Sequence, residues 1–151
     1  MYKGYTLLEL LVAISIIAVL TSASYPSLID TMNRNRVAAS VNSFVGAISF
    51  ARSEAIKRND TVTMAASNST TDDEWGDGWS VSAGGTTIRT FAALSGSTLN
   101  STGNISTLSF NSRGFLSSSD SLSLCDQDGD GCKAISIFTT GNTRLDDSYC
   151  L

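Results

Sequence analysis

Tyr5 to Ala23 read YTLLELLVAISIIAVLTSA, nineteen residues with a single charge, Glu9. As an α-helix the run is about 28 Å long at 1.5 Å per residue, close to the hydrocarbon thickness of a bilayer. A secretory signal peptide and a buried soluble helix compete with a membrane anchor for this run. Lys3 could serve as the basic start of a signal peptide, but the run is longer than a usual signal core. No small-x-small cleavage pattern follows before Tyr25 and Pro26 either. A buried soluble helix would need more core than a chain of 151 residues offers to an N-terminal segment apolar on every side. The reading is therefore a single-pass anchor. A carboxylate inside such a span costs a few kcal/mol, so Glu9 is expected to be paired and functional, the alternative being an acid that snorkels to the membrane edge.

Working outward, Pro26 is the only proline. A proline cannot donate the helical hydrogen bond, so a kink is expected there. Beyond it Val37, Val41, Phe44, Val45, Ile48 and Ile56 recur at helical spacing, while Arg34, Arg36, Arg52, Glu54, Lys57 and Arg58 fill the rest. One long helix is predicted over residues 5–58: a transmembrane and assembly half at 5–25 and an amphipathic half at 26–58 that packs on a head formed by 59–151. After Asn59 the period changes from helical to alternating. Short runs predict strands at 61–65, 79–83, 86–94, 105–110, 122–125, 133–139 and 143–145, a small antiparallel β head. Trp75 and Trp79 are expected in its core or at a turn-to-strand junction. Asp72-Asp73-Glu74 and Ser117-Ser118-Ser119-Asp120 read as solvated loops without function. The fold class is α+β.

Composition narrows the function. The formal net charge is −4. Residues 1–60 carry six Lys or Arg against four acids, whereas 61–151 carry four against ten, with 30 Ser or Thr. A hydroxyl-rich, acidic head beyond a basic-leaning anchor suits a compartment outside the cytosol, and it argues against a general nucleic-acid binder, which needs clustered cations. The absence of histidine excludes a Ser-His-Asp triad, a Cys-His pair and a His-bearing metal site. No carboxylate pair is suggested by spacing, so no enzymatic activity and no cofactor are expected.

Three cysteines, Cys125, Cys132 and Cys150, allow at most one internal disulfide. The strand pattern brings both Cys125 and Cys150 near Cys132, so more than one pairing is open. Between the first two lies Asp126-Gln127-Asp128-Gly129-Asp130-Gly131. It matches the opening of a calcium loop through Asp126, Asp128 and Asp130, but position 12 is Ile137, and a glycine-rich hairpin accounts for the same residues without metal. No metal is expected.

The leader Lys3-Gly4-Tyr5-Thr6-Leu7-Leu8-Glu9 resembles the processing motif of type IV pilins and type II secretion pseudopilins. That resemblance implies a leader of residues 1–4, cut after Gly4 by a membrane-embedded prepilin peptidase that also methylates the new amino group on Tyr5. It further implies that Glu9 registers the subunit against that amine on a neighbour. Tyr5 stands where the family usually has phenylalanine. A second resemblance, to the GspH/FimT family of pseudopilins and minor pilins, is carried by an ordered set of segments: Phe50 to Asn59, Trp75 to Val81, Leu108 to Gly114, Leu124 to Asp126 and Thr139 to Arg144. It implies the type IV pilin-like fold, other pilins or pseudopilins as partners, and an inner-membrane location with a periplasmic head that later assembles into a pilus or pseudopilus. It also favours a Cys125–Cys150 disulfide, with Cys132 the alternative. Gly141-Asn142-Thr143-Arg144 sits where some members carry a glycine-arginine DNA-binding motif. Here Asn142 replaces the first arginine, and Arg144 stands beside Asp146 and Asp147, a poor setting for phosphate. The leading expectation is a minor pilin of a type IV pilus, in its initiating or tip complex, serving pilus biogenesis, adhesion and twitching motility. The rivals are an H-type pseudopilin of a type II secretion system and a DNA-binding minor pilin for natural transformation.

Overall fold

The computed structural model describes residues 6–68, 73–126, 129 and 131–146, without the side chains of residues 22–27. Among these lie one helix, α1 (Leu7–Arg58), and eight strands: β1 (Val62–Ala66), β2 (Trp79–Ala83), β3 (Thr86–Phe91), β4 (Ser97–Ser101), β5 (Thr107–Phe110), β6 (Asp120–Asp126), β7 (Lys133–Ile137) and β8 (Thr143–Asp146). The chain divides into two compact units, Met1–Asn33 and Arg34–Leu151.

The first unit is helix. Thr6 caps it, its hydroxyl oxygen accepting the Glu9 amide at 3.2 Å, and the spacing Thr6-x-x-Glu9 is that of a capping box. From Leu7 to Leu20 every large apolar side chain is between 52% and 77% exposed. The hydroxyls in this stretch turn inward: Ser15 donates to the Leu11 carbonyl at 2.7 Å and Thr21 to that of Ile17 at 2.9 Å. Apart from Glu9, these described polar groups are satisfied locally, as an apolar medium requires. The helix continues without interruption through Pro26, and the side chains around the expected kink lie outside the described ones. Among the described residues no helix is long and apolar enough to cross a membrane. The described apolar stretch stops at Thr21, and the sequence carries on through residues 22–27.

In the second unit the helix buries Val37, Val41, Phe44, Ile48, Ala51 and Ala55, a 3.6-residue stripe. Small residues at Ala47, Ala51 and Ala55 let the helix axis approach the sheets closely. Ile56, expected on this face, is 52% exposed instead, because it lies one residue round from Ala55 on the flank of the stripe, where its side chain reaches Gly114. Asn59, in the left-handed region at φ 51°, ends the helix; the Asp60 amide reaches back to the Ala55 carbonyl at 3.2 Å, the closure of a Schellman motif. Lys57 and Arg58 sit in the last turn, where cations favour the helix dipole.

The strands form two antiparallel four-stranded sheets, β3-β2-β1-β5 and β4-β6-β7-β8. Inward residues of both, among them Val62, Met64, Val81 and Phe110 from the first and Leu99, Leu122, Leu124 and Ile135 from the second, share one core with the helix. Phe44 lies at its centre, edge-on to Trp75 at 5.3 Å and to Trp79 at 5.1 Å. Both tryptophans are fully buried, as their place in the sequence predicts. The sheets are stitched through Leu116, which bridges to Phe110 and donates its amide to the Thr139 carbonyl.

Strand β4 is absent from the sequence expectations. Ser97-Thr98-Leu99-Asn100-Ser101 offers one apolar residue, and its inward row is Ser97, Leu99 and Ser101. Carboxylates support it. Asp73 accepts the Leu99 amide at 2.7 Å, and Glu74 accepts the Ser101 amide at 2.9 Å. These two acids correct the solvated-loop reading of 72–74: Glu74 is only 2% exposed. They occupy the outer edge of β4 and satisfy amides that an unpaired strand would leave open. Burial pushes the Asp73 carboxyl above its ordinary range; the Leu99 amide works against this, and the neighbouring charges of Asp77 and Glu74 add to it. Asp120, also expected in a loop, begins β6 and accepts the Ser101 hydroxyl at 2.7 Å.

Candidate functional site

Of the residues singled out near the N-terminus, Gly4 and Tyr5 lie outside the described residues, and Glu9 lies in the first turn of α1, exposed. It is the one carboxylate in a described helical stretch whose large apolar side chains all face outward. An apolar surface of this length is stable only against lipid or against other apolar helices. In either setting a lone carboxylate demands a cationic partner, and none is supplied by the helix itself, since Lys and Arg do not reappear before Arg34.

The cysteines pair differently from the family-derived expectation. A disulfide joins Cys125 to Cys132, not Cys125 to Cys150. The register gives the reason: β6 and β7 pair Asp120 with Ile137 and Leu124 with Lys133, and the next rung of the same antiparallel ladder sets Cys125 opposite Cys132. Directly opposed cysteines need no chain excursion to meet. Cys150 lies outside the described residues, as do Asp128 and Asp130. Asp126 ends β6, nearly buried, and among the described residues no cluster of His, Cys, Asp and Glu is arranged to hold a metal.

Arg144 lies exposed on β8 with its guanidinium 3.8 Å from the Asp146 carboxylate. An ion pair at that range weakens the attraction of a phosphate, and Asp147 falls outside the described residues. Its neighbour Asn142 has a different task. The side-chain oxygen of Asn142 accepts a 2.9 Å hydrogen bond from Nη1 of Arg52 on α1. Three of the segments that carried the family resemblance converge here. Gly114 and Gly141 both have left-handed backbone, φ 78° and 76°. A β-carbon on Gly114 would lie 3.1 Å from the Arg52 stem, and one on Gly141 would lie 2.6 Å from the Gly114 carbonyl and 3.0 Å from Arg52. Sequence reasoning located these segments separately; the signal that they belong together is the pair of turn glycines opposite one helix arginine. Beside this arginine a groove of about 540 Å³ opens between the helix and the β7–β8 turn. Two residues further on, Glu54 accepts from Arg58 at 2.6 Å and from Lys57 at 3.5 Å. The Arg58 contact, with Lys57 assisting against partial burial, holds the Glu54 carboxyl below its ordinary value of 4.5.

A long N-terminal helix, apolar for its first turns, with its C-terminal part buried against antiparallel sheets, defines a pilin-like subunit. The chain belongs to the family described as type II transport protein GspH, whose model matches residues 40–141, and residues 1–25 match the prokaryotic N-terminal methylation motif. It is thus a minor pilin or pseudopilin of the type IV pilin-like class, a class of structural subunits that assemble with other pilins or pseudopilins. The type IV minor pilin FimU of Pseudomonas aeruginosa is similar in structure, with a TM-score of 0.65 at 22% identity over 77% of this chain and 92% of that one. The minor pseudopilin EpsH of the Vibrio cholerae type 2 secretion system has a TM-score of 0.55 at 16% identity, over 74% and 97%. No curated protein sequence matches the chain.

Proposed function

We propose that this chain is a minor pilin of a type IV pilus, a non-enzymatic assembly subunit of its initiating or tip complex. The observation that carries the reading is the exposed apolar stretch Leu7–Leu20 of α1, with Glu9 as its one carboxylate, next to a methylation motif. Residues 1–4 act as a leader removed by a prepilin peptidase after Gly4, and the amino group of Tyr5 is methylated. Residues 5–25 hold the subunit in the inner membrane, with the head of residues 59–151 in the periplasm, until it enters the filament. There the cationic amine of one subunit neutralises Glu9 of the next at the same depth, which offsets the cost of a buried carboxylate and sets the register. The pilus side of the class is supported by the segments Arg52 to Asn59 and Trp75 to Trp79.

A second reading, the H-type pseudopilin of a type II secretion system, is favoured by the description of the matched family. A DNA-binding role through Arg144 is disfavoured by its Asp146 neighbour; loss of a low-salt gel shift on Arg144→Ala would be needed to revive it.

The test is the intact mass of protein purified from its own membranes, followed by partner recovery with Glu9→Ala. Loss of residues 1–4 with one added methyl group, and loss of partner pilins in the variant, is the expected result. An uncleaved N-terminus, or partners retained by Glu9→Ala, refutes the reading. Deletion of the gene separates the two systems: abolished twitching with intact protein secretion marks the pilus, the converse the secretion system.

A further inference from the structure

We infer that the groove between the end of α1 and the β7–β8 turn is a carboxylate clamp, in which Arg52 receives an acidic side chain from a different subunit of the same assembly. The inference rests on the proposed assembly role and names one contact within it.

Four observations carry it. First, Arg52 is held in place before any partner arrives. Its stem lies against Gly114 and Gly141, positions where a β-carbon would force it away, and Asn142 takes one of its hydrogen bonds. A guanidinium fixed this way loses little freedom on binding. Second, its charge is unmatched: no described carboxylate pairs with it, and the acid two residues on, Glu54, is taken by Arg58 and Lys57. Most of the five N–H donors of the guanidinium remain for a ligand. Third, the groove is open at this point, with the hydroxyl residues Ser49, Ser53 and Thr143 on its walls beside Ile56. The hydroxyls suit an ionised carboxylate, which a guanidinium binds through two parallel hydrogen bonds, and Ile56 suits the methylene stem of an Asp or Glu. Fourth, Glu54, Asp60, Asp73, Glu74, Asp77, Asp120 and Asp146 already accept a hydrogen bond or ion pair from other groups of this chain. In the proposed initiating or tip complex the neighbours are other pilins, so charge complementarity points to an acid on a different chain.

The test uses the full-length chain in its native membranes with Arg52→Lys, which keeps the cation and supplies a reactive amine. A water-soluble carbodiimide condenses that amine with an adjacent carboxylate, forming an amide as the carbodiimide becomes a urea. The expected product is an isopeptide bond from position 52 to an Asp or Glu of another subunit, read by mass spectrometry. Bonds only within this chain, only between two copies, or none while exposed Lys57 reacts elsewhere, would overturn the inference. In parallel, Arg52→Glu is expected to weaken recovery of that subunit about tenfold, the size of one bidentate charge-assisted contact, while Arg52→Lys, which keeps the charge but not the fork, weakens it less. Reversing the crosslinked acid to lysine should rescue Arg52→Glu. If Arg52 only braces the two turns, that reversal rescues nothing and the clamp is refuted. Glu9→Ala keeps the two proposals apart: partners lost there but untouched by Arg52→Glu sink the clamp alone.

Discussion

Replacing Phe44 with alanine tests how the head is held together. Phe44 is fully buried and presents its ring edge-on to two buried tryptophans at once. Truncating a core phenylalanine costs about 3–5 kcal/mol from lost burial and the cavity left behind. Each favourable aromatic edge contact adds about 0.5–1.5 kcal/mol beyond area, which places this site in the upper half, about 4–5 kcal/mol. A domain of about 120 residues unfolds with an entropy near 0.25 kcal/mol/K, so the melting temperature should fall by about 16–20 °C. Near-ultraviolet circular dichroism of the full chain in detergent reports the tryptophan packing directly. Phe115→Ala is the control, since its ring is 47% exposed; it should shift the midpoint by only a few degrees, about 0.5 kcal/mol or less. A drop below about 5 °C for Phe44→Ala, equivalent to little more than 1 kcal/mol, would refute the central role assigned to this cluster.

Further consequences can be checked on the same protein. Gly141→Ala should destabilise the head clearly more than Gly84→Ala, although both glycines are left-handed, because only the former drives a β-carbon to 2.6 Å from a backbone carbonyl; equal melting temperatures would contradict this. Cys125→Ser should cost about 2–3 kcal/mol, the entropy of closing a short loop, and a non-reduced peptide map should join Cys125 to Cys132; a Cys125–Cys150 peptide would overturn the pairing. Glu54 has a lowered carboxyl value, so its contribution is present above pH 4.5 and is lost as the pH falls through the folded-state value. Glu54→Gln should accordingly melt below the wild type at neutral pH and converge with it in acid; a gap that stays constant down to acid pH would show that the carboxylate's charge is not involved.

The apolar run with its single carboxylate, the long helix and the change to strand periodicity are all legible in the chain, because each is a local pattern of side chains repeated at a fixed interval. The buried tryptophans and most strands follow from the same reasoning. Strand β4 does not, since Ser97 to Ser101 has almost no apolar period, and the carboxylates that hold it come from Asp73 and Glu74, more than twenty residues away. The disulfide escaped for a related reason: three cysteines permit several pairings, and only the β6–β7 register sets Cys125 opposite Cys132. Ile56 fits the helical spacing yet stays half-exposed on the flank beside Arg52, because the buried stripe is chosen by where the sheets lie. The convergence of Arg52, Gly114 and Gly141 likewise joins residues from three distant segments. Periodicity is a property of neighbours along the chain and can be read one residue after another. Register, edge protection and the seating of one arginine between two glycines depend on which distant backbone comes alongside, and packing of the folded head decides that.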